Sequence, residues 1–493
     1  MVPLLSKSKF TAGIQCLRRL WLEVHRPELA RPLDPVTEAI LATGTRVGEL
    51  ARQCFPGGAL VENAYYEHDQ ATARTAELLR DPGVPAIFEA AFTREGVRIR
   101  VDVLRRSTSG WQLVEVKSSS SLKAEHIPDL AIQHYVLAGC GVKPESDHLM
   151  HVDTGYVYDG QTMDAGKLLA IDGATDQVAE ALDDLPAQLE LQRQTLAGPD
   201  EPTVDPGYQC ASPWECPYVD YCTRDKPRYW IKRLLGITRR EFDELTASGM
   251  DDIRDIPDDY PLSERPARAR QAAKSGRPWV SDRLGGELAR VKTPIQFLDF
   301  ETVSSAIPLY AGTRPYQVTP FQWSLYTVDR TGAMTDRSFL FDQDGDPRRA
   351  VAESLLTAIG TKGSIVAYNA GFEITVLRNL AEALPDLADR LLALLDRVVD
   401  LLTIVRRCYY HADLLGSFSL KQVVPVLVPD CSYGDLAIQD GSIASLEHLR
   451  MIAQADPQER QRIRTDLLDY CKRDTWAMVR VWEELGKLAG RGS

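Results

Sequence analysis

Residues 295–302 read IQFLDFET, an apolar segment interrupted by two acidic side chains, Asp299 and Glu301. In a β-strand, residues two apart lie on the same face, so both carboxylates would leave the strand on one side. Burying two acids on one face costs free energy unless a cation balances their charge. This segment therefore predicts a buried strand with a cation-binding face, at the start of an α/β block.

Two downstream segments place polar side chains where a helix or strand begins. Residues 364–377, SIVAYNAGFEITVL, predict a strand, a turn and a helix start, with Asn369 and Glu373 at the junction. Residues 397–405, RVVDLLTIV, place Asp400 at the head of an apolar helix or strand.

The last segment, residues 467–485, predicts an amphipathic helix in which Tyr470 and Asp474, four residues apart, project together. In this order the segments resemble the DnaQ-like exonucleases of the ribonuclease H-like superfamily. Asp-x-Glu matches their first motif and Asn-x-x-Phe-acid their second. Tyr-x-x-x-Asp matches the third motif in its tyrosine-bearing (DEDDy) form, as in ribonuclease D and family B polymerase proofreading domains. The resemblance implies a ribonuclease H-like α/β domain with 3′–5′ exonuclease-like activity.

The resemblance also assigns roles to individual side chains. It implies a two-metal phosphodiester mechanism in which Asp299, Glu301 and Asp474 hold two Mg²⁺ or Mn²⁺ ions. Tyr470 would orient the attacking water, and Glu373 would supply the carboxylate of the second motif. All five residues are therefore candidate catalytic residues.

The second motif departs from the family pattern at two positions. Glu373 occupies a position that usually carries Asp, and Tyr368 stands where many relatives have His. The longer carboxylate can still reach a metal, with Asp400 assisting, but the geometry would differ. Lys421 is a candidate phosphate contact, although the pattern favours a surface lysine.

A second charged constellation lies far upstream, in a predicted β-hairpin. Residues 99–104, IRVDVL, alternate so that Ile99, Val101 and Val103 share one face while Asp102 points to the other. After a turn, residues 111–119, WQLVEVKSS, place Glu115 and Lys117 on one face of the next strand. Two carboxylates beside an ammonium can bind a divalent cation and activate water, whereas a solvated charged face is the structural alternative.

Cysteine spacing points to a further cofactor. The chain has nine cysteines, and Cys210, Cys216 and Cys222 follow each other with five residues between successive members. Zinc usually takes cysteines two to four residues apart, so this spacing fits zinc poorly. An iron–sulfur cluster takes four thiolates and tolerates a remote fourth ligand. The alternative is three buried cysteines without a cofactor.

Together, these features resemble the RecB-like branch of the PD-(D/E)XK nucleases, including the iron–sulfur members among CRISPR-associated nucleases and AddB. The opening LSKSKFTAGIQCLRRLWL looks like the start of that branch and implies that Cys16 is the remote ligand of a 4Fe-4S cluster. RVDVL and VEVK imply that Asp102, Glu115 and Lys117 are catalytic, the two acids also holding metal. IQHY resembles the following helix motif and implies catalytic roles for Gln133 and Tyr135.

One position departs from this second family. Where relatives often carry a metal-binding His, the segment GTRVGELA has Gly48, which leaves Glu49 or Glu38 as substitutes.

The iron–sulfur cluster would join the two ends of the block, and closing so long a loop restricts the unfolded chain. We therefore expect a structural cluster without an electron-transfer role.

The whole chain of 493 residues then divides into three parts. We expect a RecB-like PD-(D/E)XK domain with its cluster at residues 1–225, a basic helical connector at 226–292 and a DnaQ-like domain at 293–488. This layout resembles a bacterial family with domain of unknown function 2779 at the C-terminus. The predicted fold class is α/β, a restriction-endonuclease-like domain followed by a ribonuclease H-like domain.

Charge and composition limit the classes of function. The net charge of −13 argues against a protein that coats nucleic acid, but an enzyme needs only a local basic track. Residues 224–240 hold seven Lys or Arg against one acid, and residues 265–277 hold five against none. A solvated helix face would give the same pattern. With neither a membrane span nor a secretory signal in the sequence, we expect a soluble, cytoplasmic protein.

The leading hypothesis is a bifunctional, metal-dependent nuclease that acts on single-stranded or duplex ends of DNA. An enzyme that acts on RNA is the first alternative, because the tyrosine-bearing exonucleases include RNA-trimming enzymes. The second alternative is a nucleic-acid-binding module with one or both sites inactive, motivated by Gly48 and Glu373.

Overall fold

The computed structural model describes residues 4–490 and confirms a mixed α/β fold. The chain forms two compact units. The first contains residues up to 225 together with 305–316, and the second contains residues 226–304 and those from 317 onward. Residues 226–292, the predicted connector, thus belong to the second unit, whereas the short segment 305–316 packs with the first.

The first unit is built on a mixed seven-stranded sheet in the described residues. The order is β2-β3-β4-β5-β6-β7, with β1 parallel to β4. Strands β3, β4 and β5 form an antiparallel meander, and β6 runs parallel to β5. The strands are β1 (Leu5–Ser6), β2 (Ala59–Leu60), β3 (Ala86–Arg94), β4 (Val97–Arg106), β5 (Trp111–Val116), β6 (Pro144–Val152) and β7 (Leu169–Gly173).

Helices cover both faces of this sheet. On one face, Phe10, Ile99 and Leu130 belong to one buried apolar cluster. On the other, Val47 and Met150 belong to a second cluster. The helices are α1 (Lys7–Gln15), α2 (Leu17–His25), α3 (Pro35–Gln53), α4 (His68–Arg80), α5 (Ile127–Gly139), α6 (Ala165–Leu168), α7 (Thr175–Ala197) and α8 (Val219–Thr223).

The alternation predicted for β4 is interrupted at Asp102. Ile99 and Val101 face the first apolar cluster as expected, but Val103 packs in the second, so the prediction for Val103 was wrong. The pairing of β3 with β4 is interrupted at the same point, since the register passes from Phe88–Val103 to Ala90–Val101 and includes neither Glu89 nor Asp102. Glu89 has a φ of 56°, a left-handed conformation that disturbs the regular pleat.

The second unit contains a five-stranded sheet in the order β11-β10-β9-β12-β13. Strands β11, β10 and β9 are antiparallel, whereas β9, β12 and β13 are parallel. A separate antiparallel pair joins β8 and β14. The strands are β8 (Trp279–Val280), β9 (Ile295–Val303), β10 (Thr319–Val328), β11 (Met334–Leu340), β12 (Ser364–Ala367), β13 (Val398–Asp400) and β14 (Tyr409–Tyr410).

Strand β9 has two different faces, as its alternating sequence predicts. Leu298 and Phe300 pack with Val376 in the main apolar core of the second unit. The helices are α9 (Arg239–Ala247), α10 (Glu264–Ser275), α11 (Leu284–Leu288), α12 (Arg348–Ala358), α13 (Gly371–Ala383), α14 (Ala388–Leu395), α15 (Leu401–Cys408), α16 (Leu420–Leu427), α17 (Gly441–Ala453) and α18 (Pro457–Gly490).

Helix α18 lies across the opposite face of the sheet. The side-chain amide of Gln322 donates to the Leu467 carbonyl at 2.8 Å, and the hydroxyls of Ser324 and Thr475 are 2.6 Å apart. These polar contacts are fully buried, so they fix the position of the helix along β10. The helix thereby covers the face from which Asp299 and Glu301 emerge.

Many basic residues of the predicted connector are neutralised by neighbouring carboxylates. Lys226 pairs with Asp251 and Lys274 with Asp258. In the described part of the chain, no helix is sufficiently long and apolar to cross a membrane.

Candidate catalytic and metal-binding sites

The second unit brings together acids that are far apart in the sequence. Asp299 and Glu301 leave β9 on the face covered by α18, and Asp474 approaches from α18 itself. Glu301 is buried and Asp299 and Asp474 are half-buried, and the Asp474 charge acts on both Asp299 and Glu301. The carboxylates of Asp299, Glu301, Glu373 and Asp474 are called the acidic site below.

Cys471 is a member of this site that the sequence pattern did not reveal. Ligand atoms of Asp299, Glu301 and Cys471 all lie within 4.8 Å of one another. Among the described residues, this is the one set of three such side chains that meets this distance. Cys471 follows Tyr470 on an amphipathic helix, where a cysteine is ordinarily a small core residue.

Burial and neighbouring charges raise the pKa values of Asp299 and Glu301. Burial raises the pKa of Asp299 well above its ordinary value, and the charges of Glu301 and Asp474 raise it further. Burial and the Asp474 charge act on Glu301 in the same direction, and Lys421 only partly opposes them. One buried and two half-buried carboxylates with insufficient positive charge are unfavourable in isolation, which is the expected electrostatics of a cation site.

Two tyrosines and a lysine border the acidic site. Lys421 donates to the Tyr470 hydroxyl at 3.1 Å and is half-buried, so it is more than a surface lysine. Burial raises the pKa of Asp474, whereas the hydroxyls of Tyr433 and Tyr470 and the Lys421 charge lower it. Tyr433 was not predicted, because SYGDL gives no periodic signal that would link it to α18.

Glu373 lies near the other acids but is held differently. It is 2% exposed, and in the described residues its Oε2 atom has no hydrogen-bond partner. Burial raises its pKa to about 8. Asp400, by contrast, is the N-cap of α15, where it accepts hydrogen bonds from the Leu402 amide and the Thr403 hydroxyl.

The first unit gathers a different set of charges. Asp102 accepts a 2.7 Å hydrogen bond from the Val116 amide, which joins the two predicted strands beside Glu115. Lys117 donates to Glu115 at 2.7 Å and also to Asp129 at 2.7 Å. The predicted trio therefore lies together, with Asp129 of α5 as an additional acid.

A second lysine enters this constellation from the N-terminal helix. Lys7, at the start of α1, donates to the two carboxylate oxygens of Glu115 at 2.8 and 3.0 Å. It also lies 3.4 Å from Asp129. Lys7, Asp102, Glu115, Lys117 and Asp129 are called the lysine–carboxylate site. Lys7 and Asp129 were missed because each belongs to a helix whose local pattern gives no catalytic motif.

Lys7 and Lys117 lower the pKa values of the two acids Asp102 and Glu115. Burial and the Glu115 charge raise the pKa of Asp102 to about 7, against the opposing effect of Lys7 and Lys117. Burial also disfavours ionisation of Glu115, but Lys117 and Lys7 outweigh it and hold its pKa well below the ordinary value. One acid of the pair is thus ionised, while the other is poised to exchange a proton near neutral pH.

The predicted helix residues Gln133 and Tyr135 are placed differently. The Gln133 amide donates to Glu115 at 2.8 Å, so Gln133 is part of the same network. The Tyr135 hydroxyl instead donates to Glu95 at 3.2 Å, and the Arg94 guanidinium lies over its ring. Tyr135 therefore packs at a distinct polar cluster.

The two proposed substitutes for the missing histidine are both on the surface of α3. Glu38 and Glu49 are exposed, and Glu49 lies 4.0 Å from Arg52. Glu89 is nearer in electrostatic terms, since burial raises its pKa and it interacts with Lys7 and Glu115. The acid within the apolar stretch IFEAAF was the available sequence signal for it.

The four predicted cluster cysteines meet around one small cavity. Cys16, Cys210, Cys216 and Cys222 line it, although Cys16 is about two hundred positions from the others. Burial raises the pKa of Cys216 and raises that of Cys222 to about 11. Four sulfur donors facing one cavity fit an iron–sulfur cluster chemically, because each iron of such a cluster takes a thiolate.

Comparison with known proteins gives partial matches. Residues 296–419 match the family described as domain of unknown function (DUF2779). The chain is similar to the uncharacterized protein MG366 homolog of Mycoplasma pneumoniae, at 27% identity over 224 residues, 41% of this chain and 33% of that protein. It is also similar to the uncharacterized protein MG366 of Mycoplasma genitalium, at 24% identity over 212 residues, 39% of this chain and 32% of that protein. The chain spans about a third of the length of these relatives.

Proposed function

We propose that this protein is a cytoplasmic, metal-dependent nuclease that hydrolyses phosphodiester bonds of DNA. The observation that carries the proposal is the convergence of Asp299, Glu301 and Asp474. Burial raises the pKa of each acid, and the Asp474 charge raises the pKa of Asp299 and Glu301 further. Buried carboxylates without enough positive charge support a cation site, and their distance in the sequence makes an accidental grouping a poor explanation.

Asp299, Glu301 and Asp474 would hold Mg²⁺ or Mn²⁺, with Glu373 and Cys471 beside them. Such ions, when bound, stabilise negative charge on a phosphoryl oxygen and lower the pKa of water. Oxygen donors suit Mg²⁺, whereas the nearby sulfur favours a softer ion.

Tyr470 would act as a hydrogen-bond donor that orients the attacking water. Burial and the neighbouring carboxylates raise its pKa far above the ordinary value, so its hydroxyl keeps the proton at neutral pH. Lys421 donates to the same hydroxyl and carries a positive charge toward the acids. This arrangement supports a tyrosine-bearing exonuclease site of the ribonuclease H-like type, and the resemblance to those enzymes adds the proposal of 3′–5′ polarity.

The lysine–carboxylate site supports a second nuclease centre of the RecB-like PD-(D/E)XK type. Asp102 and Glu115 would hold a divalent ion, and Lys117 would orient the water or the scissile phosphate. Gln133 positions Glu115 through its 2.8 Å hydrogen bond. Cys16, Cys210, Cys216 and Cys222 would hold a 4Fe-4S cluster that joins distant parts of this unit.

End-labelled oligonucleotides test the proposal. Wild-type protein, purified without oxygen, is incubated with single-stranded DNA, duplex DNA or RNA in Mg²⁺ or Mn²⁺. Asp299→Ala should remove stepwise end degradation, and Lys117→Ala should remove the other activity. Asp389→Asn and Lys143→Ala, exposed residues of the second and first unit, serve as matched controls.

The results separate the alternatives. Degradation by both single-site variants at the wild-type rate would show that neither site is catalytic. Faster degradation of RNA than of DNA would move the substrate assignment to RNA. Salt-sensitive binding without cleavage by wild-type protein in either ion would favour a binding module. Iron and sulfide analysis should give about four iron atoms per chain, whereas stoichiometric zinc would contradict the cluster.

A further inference from the structure

The second unit has a cavity next to the acidic site that none of the proposed catalytic roles uses. Its volume is about 710 Å³, within the range of ligand-binding pockets in general. It lies at the start of α16, against the junction of β12 and α13. It is called the arginine cavity, and the lining residues used below are Arg265, Tyr368, Arg406, Ser417, Phe418 and Ser419.

Two guanidinium groups make the cavity positively charged. Arg265 and Arg406 are exposed, and within residues 4–490 neither forms an ion pair with a carboxylate. This sets them apart from basic neighbours such as Arg228, which pairs with Asp413, and Arg268, which pairs with Glu264. The unpaired charges are therefore available to an anionic ligand.

Asp400 interacts electrostatically with the lining residue Tyr368 but forms no ion pair with Arg265 or Arg406 in the described residues. Asp400 caps α15, and its Oδ1 accepts from the amides of Asn369 and Leu402 at 3.1 Å. Its Oδ2 accepts a 2.5 Å hydrogen bond from the Thr403 hydroxyl. Because both oxygens are engaged, the carboxylate acts as a helix cap. Arg406 lies over the Phe418 ring, 6.0 Å from its centre, and among the described residues it has no carboxylate partner.

Hydrogen-bond donors complement the two arginines. Ser419 precedes α16 and makes no side-chain capping bond, so the first amides of that helix lack a side-chain partner. The Ser417 hydroxyl lies 3.4 Å from that of Ser419. The backbone at Gly416 lies close to that of Arg233, since a Cβ added at Gly416 would lie 2.5 Å from the Arg233 carbonyl oxygen. Gly416 also has a φ of 82°. The hydroxyls are thus presented by a tightly fixed turn.

Two chain segments each place one residue at the cavity and a following residue at or beside the acidic site. Leu420 lines the cavity, and the next residue, Lys421, contacts Tyr470. Asn369 lines the cavity, and Glu373 lies four residues further along, in the first turn of α13. A polynucleotide whose end lies at the carboxylates would therefore reach the cavity within a few nucleotides.

We propose that the arginine cavity binds an internal phosphate of the strand whose end is at the acidic site. This inference rests on the proposed nuclease function, and it assigns the contact that would hold the strand during end degradation. Guanidinium groups with hydroxyl and amide donors are the usual ligands of backbone phosphates. Because such contacts do not read bases, binding is independent of sequence.

Fluorescence anisotropy with a short 5′-labelled single-stranded DNA tests this contact. Binding is measured in Ca²⁺, at several salt concentrations, for wild type, Arg265→Gln and Arg406→Gln. Arg407→Gln is the matched control, because Arg407 is exposed on the same helix and outside the cavity lining. Each cavity variant should bind about five- to tenfold more weakly, and the salt dependence should fall by about 0.7 per lost phosphate contact. The control should bind like wild type.

Two further measurements identify the ligand and separate the two proposals. Inorganic phosphate and a mononucleotide should compete weakly with the DNA, and competition as strong as that of an unlabelled oligonucleotide would overturn the internal-phosphate assignment. Cavity variants that bind like Arg407→Gln, while wild type still degrades DNA, would overturn the inference and leave the nuclease proposal intact. Wild type that neither binds nor degrades any oligonucleotide would overturn the proposed function itself.

Discussion

The sulfur of Cys471 lies 3.7 Å from Oδ2 of Asp299, between the strand and the helix that form the acidic site. Burial raises the pKa of this thiol well above its ordinary value, and the charges of Asp299 and Glu301 raise it further. Without a bound cation the sulfur therefore stays protonated and neutral. A cation at the carboxylates would reverse this preference, since metal binding favours the thiolate.

The first prediction concerns which ion the acidic site prefers. Thiolate ligands favour softer transition-metal ions, whereas Mg²⁺ gains little from sulfur. Cys471→Ser should weaken Co²⁺ binding about tenfold and change Mg²⁺ binding by less than about threefold, measured by calorimetry on metal-free protein. Cys408→Ser, at another buried cysteine of the same unit, is the control. Equal effects on both ions would show that the sulfur is not a ligand.

The second prediction concerns Glu373 and pH in the metal-free protein. Its pKa is raised from 4.5 to about 8, so the folded state keeps a proton that the unfolded chain has lost. The associated stability is complete below pH 4.5 and is lost as the pH rises through 8. Between pH 6 and 8, wild type should lose about 2 kcal/mol more unfolding free energy than Glu373→Gln.

Denaturant unfolding in chelator at both pH values measures this difference. Glu353→Gln, an exposed acid on α12, should behave like wild type. If Glu373→Gln lost as much stability as wild type over this range, the carboxyl would already be ionised at pH 6. The raised pKa would then be excluded.

The third prediction concerns Lys7 and its shared partner Glu115. Lys7→Met should lower the unfolding free energy by about 2 kcal/mol, because a buried carboxylate loses one of two ammonium groups. The loss stays below that of a fully broken buried pair, since Lys117 still contacts Glu115. Lys9→Met on the same helix is the control. Adding Glu115→Gln to Lys7→Met should cost less than the sum of the two single changes.

The fourth prediction concerns a buried histidine of the second unit. His448 is 1% exposed, stacks on Phe321 with ring centres 3.8 Å apart, and lies 3.0 Å from the Phe341 carbonyl oxygen through Nε2. Burial lowers its pKa from 6.5 to about 4. The neutral ring therefore contributes stability above pH 6.5 that is lost as the pH falls toward 4.

Between pH 7 and 4.5, wild type should lose about 2.5 kcal/mol more unfolding free energy than His448→Phe, which keeps the ring stack but cannot titrate. Denaturant unfolding at the two pH values measures this difference. His25→Phe, at an exposed histidine, should lose stability as wild type does. An identical loss for His448→Phe would show that His448 does not carry this pH dependence.

The parts of the sites that follow from local patterns could be predicted from the sequence. Alternation in β9 placed Asp299 and Glu301 on one face, and helical spacing placed Tyr470 beside Asp474. Both depend on geometry within one element, where the periods of 2 and 3.6 residues are fixed.

The remaining site residues depend on contacts between elements. Lys7 reaches Glu115 from 108 positions away, and nothing in the sequence near Lys7 encodes that distance. Cys471 and Tyr433 look like ordinary core residues in their own segments. Val103 was misplaced because the left-handed backbone at Glu89, on another strand, interrupts the alternation of β4. Such features are set by tertiary packing.

Helix α1 carries Lys7 at its first residue and is followed directly by Cys16. It is seated closely on α7, because an added Cβ at Gly13 would lie 2.4 Å from Cδ of Gln192, whose amide donates to the Phe10 carbonyl. A helix of nine residues, roughly 13 Å long, thus connects the cysteine-lined cavity to Glu115, which contacts both Lys7 and Lys117. A cysteine of the proposed cluster and a lysine of the lysine–carboxylate site therefore stand at opposite ends of one short helix.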